Sequence, residues 1–84
     1  MMAREIINET LRILIPLNNF GAISEDRSLT FSQIQSIVKL NPLKLKEYLN
    51  LLERRGYIRR IISGGIEKYY LTPLGIITAL SIFS

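Results

Sequence analysis

Residues 39–47 read "KLNPLKLKE", and the reading of Asn41-Pro42 within them decides the fold. A proline disfavours helical geometry in the residue before it, so a helix arriving from the N-terminal side is expected to stop short of Asn41. Asparagine is also a preferred N-cap. Proline is favoured at the first helical position, where its missing N–H has no intrahelical partner to lose. Asn41-Pro42 therefore separates two helices and begins the second. Beyond it, Leu45, Leu49 and Leu52 recur at spacings of four and three, which is one face of a helix, with Tyr48 on its flank. Arg54 and Arg55 suit a helix C-terminus and Gly56 is the expected stop, which predicts a helix over 42–55.

Upstream, Phe31, Ile34, Ile37 and Val38 form an apolar stripe. Thr30 is a good N-cap, and Gln33 three residues later gives capping-box spacing, so a short helix is predicted over 31–39. Before it, residues 18–28 read as a mostly polar loop tipped by "SEDRS", with a short strand near Ser28 to Thr30. Ile7, Leu11 and Leu14, widened by Ile15, predict an amphipathic helix over 3–15, with Pro16 marking its end. Downstream the period changes. "YIRRIISGGIEKYYLT" (57–72) is rich in Ile and Tyr around a Ser-Gly-Gly, the pattern of a β-hairpin with strands near 57–62 and 66–71. Thr72-Pro73 repeats the cap-plus-proline device, and "LGIITALSIFS" (74–84) completes a last helix over 73–83, apolar almost all round.

Two short helices joined by a tight turn, the second basic at its N-terminal half, make a helix-turn-helix. A hairpin directly after the second helix adds a wing. The expected fold class is α+β, mainly α: a winged helix-turn-helix with a three-helix core, a β-hairpin wing (57–71) and a C-terminal helix, in one domain over 1–84.

Composition narrows the function. The chain has no cysteine and no histidine, which removes thiolate metal sites, the commonest general base and the Ser-His and Cys-His nucleophile pairs. No enzyme, cofactor or metal reading finds a supporting constellation; Glu25-Asp26 is an acid pair in a loop with no third ligand. The net charge is +4, and its placement says more. Lys39 to Lys68 holds eight basic residues against Glu47, Glu53 and Glu67, while the rest of the chain is slightly acidic. A localised basic stretch is the electrostatic footprint of a polyanion. The N-terminal residues do not read as a signal peptide, and the longest charge-free run, Tyr69 to Ser84, is too short and too interrupted to span a bilayer. The expectation is a soluble cytoplasmic protein.

The stretch "LTFSQIQSIVKLNPLKLKEYLNLLERRGYIRRIISGGIEKYYLTPLG" (29–75) resembles the core of archaeal and bacterial winged-helix transcriptional regulators. The specific pieces are the "LxxLERRGYI" join into the wing and the "YYLTPLG" exit from it. The resemblance is to the broad group of MarR-like and PadR-like regulators and small dimeric archaeal winged-helix proteins. It implies DNA binding as a dimer, usually to regulate transcription. The chain departs from many relatives in having Pro42-Leu43-Lys44 where they carry small polar residues, so no base contact is carried over there.

The same expectation follows from helical geometry. With Leu45, Leu49 and Leu52 buried, Leu43, Glu47, Asn50 and Arg54 fall on the opposite face, flanked by Lys44 and Lys46. A helix in the major groove presents such residues to base edges and phosphates. In the wing, Arg59, Arg60 and Lys68 are candidates for phosphates or a minor groove, and Ser32 and Gln33 for a phosphate at a helix start. Arg54 and Arg55 read first as partners of the helix dipole, and the tyrosines as packing. The candidate DNA-binding set is therefore Ser32, Gln33, Leu43, Lys44, Lys46, Glu47, Asn50, Arg59, Arg60 and Lys68. The two terminal helices carry more apolar surface than a small core can cover, which predicts a homodimer through Ile7, Leu11, Ile76, Ile77, Leu80 and Phe83. The rival readings are a winged helix used for protein contacts, and a DNA-binding fragment of a larger or membrane-anchored regulator.

Overall fold

The structure is a computed structural model that describes the backbone of residues 2–81 and the side chains of residues 9–81. Its elements run α1 (Met2–Asn19), β1 (Leu29–Thr30), α2 (Phe31–Val38), α3 (Pro42–Arg54), β2 (Ile58–Ser63), β3 (Ile66–Leu71) and α4 (Pro73–Ser81), with one 3-10 turn at Glu25–Arg27. The three strands form an antiparallel sheet in the order β1-β3-β2.

The turn between α2 and α3 is built from caps. Thr30 and Gln33 form a reciprocal capping box: the Gln33 N–H donates to Thr30 Oγ1 at 3.2 Å, and the Thr30 N–H donates to Gln33 Oε1 at 2.9 Å. α2 closes at Lys39, a left-handed C-cap (φ 61°) whose N–H donates to the Gln35 carbonyl at 2.8 Å. Two residues later Asn41 caps α3, its Oδ1 accepting from the N–H of Leu43 at 2.8 Å and of Lys44 at 3.4 Å, with Pro42 as the first helical residue. At the far end, Gly56 and Tyr57 donate to the carbonyls of Glu53 and Leu52, the paired bonds of a Schellman stop. The chain therefore leaves α3 in a fixed direction and enters β2 at once.

The core gathers one face of every helix and the inner face of the sheet: Ile13, Leu14 and Leu17; Ile34 and Val38; Leu45, Leu49 and Leu52; Ile58, Tyr69 and Leu71; and Ala79. Ala22, in the link after α1, is buried with them, and its carbonyl accepts from the Leu71 N–H at 2.7 Å. Thr72 caps α4, accepting from the Gly75 N–H at 3.1 Å. A Cβ on Gly75 would overlap the Tyr57 carbonyl oxygen. The "YYLTPLG" pattern thus records a buried tyrosine and leucine, one cap and one close approach of α4 to the Tyr57 backbone.

Two expectations are corrected. α1 does not stop at Pro16 but runs through it to Asn19. Proline costs the bond to the carbonyl four residues back, yet Leu17 is fully buried beside Ile13 and Leu14, and Phe20 N–H bonds back to the Pro16 carbonyl at 3.0 Å. Packing of that face outweighs the lost bond. The loop expected over 18–28 is accordingly shorter and carries the 3-10 turn.

Candidate nucleic-acid interface

The burial of α3 sorts its side chains as the leucine spacing requires. Leu45, Leu49 and Leu52 are buried, and Leu43, Glu47, Asn50 and Arg54 point away from the core, exposed. Leu43 is 75% exposed, an apolar side chain presented to solvent at the first turn. Lys44 is exposed on one shoulder, beside half-buried Tyr48 and Leu51. Ser32 is exposed at the start of α2. Gln33 is exposed too, but its side-chain oxygen is held by the Thr30 N–H in the capping box.

The two-residue turn Gly64-Gly65, with φ of 58° and 80°, fixes the register of the wing. Ser63 pairs with Ile66, Ile62 with Glu67, Ile61 with Lys68, Arg60 with Tyr69 and Arg59 with Tyr70. Alternation then divides the cations. Arg59 and Lys68 lie on the outer face. Arg60 lies on the inner face with Glu67 and buried Tyr69, turned toward α3. At the tip, Ile62 (72% exposed) and Ile66 (53% exposed) flank the glycines.

Two of the expected DNA contacts, Lys46 and Arg60, are engaged inside the protein. Lys46 Nζ lies 3.4 Å from Glu67 Oε1 and 3.4 Å from Tyr69 Oη, and 6.0 Å from the centre of the Phe31 ring. Arg60 Nη1 donates to Glu67 Oε2 at 2.6 Å, and its Nε lies 3.6 Å from Glu53 Oε1. The hydrogen bond from Arg60, then the charge of Lys46, holds the Glu67 carboxyl below the usual carboxylate range. The Lys46 ammonium is raised, first by the Tyr69 hydroxyl and then by Glu67, and Arg60 is raised first by its bond to Glu67. In the sequence Glu53 and Glu67 stand out only as charges within the basic stretch, not as binders of particular cations. The signal was there in the hairpin: a two-residue turn puts Glu67 opposite Ile62 and diagonal to Arg60.

The cluster of Lys46, Arg60, Glu53 and Glu67 is neutral. The excess positive charge of the stretch therefore rests on Lys39, Lys44, Arg54, Arg55, Arg59 and Lys68, offset by Glu47, none of them ion-paired among the described residues. No group of acids that could hold a metal ion and no helix long and apolar enough to cross a membrane occurs among the described residues.

Of the residues expected at a dimer interface, Ile77 (65%) and Leu80 (48%) are exposed on the outer face of α4, joined by Leu74 (48%). Ile76 is half-buried and packs against the core, on the side of α4 that carries buried Gly75 and Ala79. Leu11 is half-buried. The side chain of Ile7 and all of Phe83 lie outside the described residues.

No family model matches the sequence, nor does any curated protein. Solved structures do resemble it. TubR from Bacillus megaterium pBM400 matches 95% of this chain and 93% of its own at 23% identity, with a TM-score of 0.82. A DNA-binding TubR fragment from Clostridium botulinum matches 87% of this chain and 91% of its own at 27% identity and TM-score 0.73. MepR of S. aureus, solved as a DNA complex, matches 98% of this chain and 73% of its own at 17% identity and TM-score 0.70. The name TubR is attached elsewhere among these likenesses to type III plasmid segregation. Together they establish the fold as the winged helix-turn-helix.

Proposed function

We propose that this protein binds duplex DNA sequence-specifically, with α3 in the major groove and the wing on the backbone or the adjoining minor groove. The observation that carries the reading is the exposed, cap-started face of α3 together with the unpaired cations that lie along α3 and the wing. Lys44 and Lys39 flank the turn, Arg54 and Arg55 the far end of α3, and Arg59 and Lys68 the outer wing. On this reading Lys44, Arg59, Lys68 and Ser32 meet phosphates. Leu43, Glu47 and Asn50 face base edges, where an apolar side chain suits a thymine methyl, a carboxylate the cytosine amino group and a carboxamide adenine. Glu47 repels phosphate and so favours one seating over loose coating. The MepR–DNA complex and the DNA-binding TubR fragment support the partner. The proposed role is regulation of transcription in the cytoplasm, without enzymatic activity. A role in plasmid segregation is the second reading, favoured by near end-to-end coverage of TubR.

The protein is further proposed to act as a homodimer through α1 and the outer face of α4, where Leu74, Ile77 and Leu80 form an exposed apolar stripe. A dimer built there sets two copies of α3 on one duplex.

Selection of bound sequences from a random duplex pool tests the function. A single enriched motif with two-fold symmetry is the expected result. Recovery of an unenriched pool would leave only non-specific binding, and recovery of nothing would favour a winged helix used for protein contacts. Loss of a resident plasmid on deletion, with promoter output unchanged, would select segregation over transcription.

A further inference from the structure

We propose that Glu67 is an anionic lock: it holds Lys46 and Arg60 away from DNA phosphates and ties the wing to α3. The inference rests on the DNA-binding reading and concerns which cations of the basic stretch act in it.

The four charged groups form a chain that begins and ends on α3. Lys46 in the first half of α3 reaches Glu67 in β3; Glu67 takes Arg60 in β2; Arg60 reaches back to Glu53 in the last turn of α3. Lys46 and Glu53 are seven residues apart, two helical turns, so they share the shoulder of α3 that faces the hairpin. Both wing strands are thereby fastened to both ends of one helix face. The Phe31 ring beside Lys46 adds a contact from α2.

The pairs are half-exposed, with side-chain accessibilities between 34% and 44%, so each alone is weak. Their consequence for DNA is electrostatic. A cation already paired with a carboxylate at 2.6 to 3.4 Å presents less net charge to a phosphate than an unpaired one. Lys44, on the other shoulder, has no such partner and is free to take a phosphate. The lock divides the lysines of the α3 N-terminus into one that meets DNA and one that sets the wing. It also caps non-specific affinity, which counts phosphate contacts, without touching the residues that face bases.

The test is the salt dependence of binding to a fluorescein-labelled mixed-sequence duplex, followed by anisotropy. In the native background, Lys44→Gln is expected to flatten the log–log slope by about 0.9, the contribution of one phosphate contact. Lys46→Gln and Arg60→Gln are expected to change it by less than half as much. Glu67→Gln is expected to steepen it by about 0.9 for each released cation that finds a phosphate. Adding Lys46→Gln or Arg60→Gln to Glu67→Gln should then remove that increment. This non-additivity distinguishes a lock from simple removal of a negative charge. If Lys46→Gln and Arg60→Gln flatten the native slope as much as Lys44→Gln does, the lock is refuted while DNA binding stands. An unchanged slope in Glu67→Gln refutes it equally. If the native protein binds no duplex at low salt, the proposed function falls and the lock with it. Should Glu67→Gln fold poorly by circular dichroism, the two single cation variants decide the matter alone.

Discussion

Lys39 and Asn41 show how much of the turn rests on one backbone conformation and one side-chain cap. Lys39 is the non-glycine residue with positive φ among those described, and its side chain is exposed. A left-handed L-residue costs about 1–2 kcal/mol, part of which glycine returns through the greater freedom of the unfolded chain. Lys39→Gly is therefore expected to stabilise the protein by about 0.5–1 kcal/mol in urea unfolding. Asn41→Ala removes both cap bonds and is expected to cost about 1 kcal/mol, with Asn41→Asp close to neutral. The reverse order of these two variants would refute the capping account. Asn41 was legible in the sequence because cap and proline preferences are local. The left-handed Lys39 was not, because nothing in a lysine announces the conformation that the following helix demands. Arg60 was legible as a partner of Glu67 through the hairpin register, but Lys46 was legible only as a cation, since its contact with Glu67 depends on how the hairpin leans on α3.

At the scale of elements, α3 and the wing were readable because each has a strong local signal: a leucine period closed by Gly56 in one, a two-residue glycine turn in the other. At Pro16 in α1 the local rule yields to the burial of Leu17. The junction of wing and helix makes a prediction in pH. Glu67 titrates below the ordinary carboxylate range, so its ties are present above the unfolded value of about 4.3 and are lost only as pH falls through the lower folded value. Lys46 and Arg60, both raised, keep their charge well above neutrality. With no histidine in the chain, thermal stability and duplex affinity are expected to stay flat over roughly pH 6–8. A sigmoidal step in either within that window would contradict the assignment of charges.

Over the whole molecule, the unpaired cations and the apolar stripe of α4 fall on different elements. The unpaired cations gather around α3 and the outer wing, while Leu74, Ile77 and Leu80 line the outside of α4. This division was half legible: the basic stretch is plain in the sequence, but α4 is apolar all round, and only its packing tells Ile76, turned inward, from Ile77, turned out. The outward stripe predicts that Ile77→Glu or Leu80→Glu shifts sedimentation from dimer to monomer and leaves helicity intact. Cooperative duplex binding should fall with it, by about 10-fold or more where two linked α3 helices bind together. A native protein that sediments as a monomer at all concentrations would remove this part of the account.

The central claim is that DNA lies on α3 and the wing. Titrating a selected duplex into the isotope-labelled protein and following backbone amide shifts tests it most directly. The account predicts the largest changes at Leu43, Lys44, Glu47 and Asn50, with a second group at Arg59, Gly64 and Gly65, and little movement at Leu74, Ile77 and Leu80. Changes concentrated on α4, with the exposed face of α3 still, would contradict it.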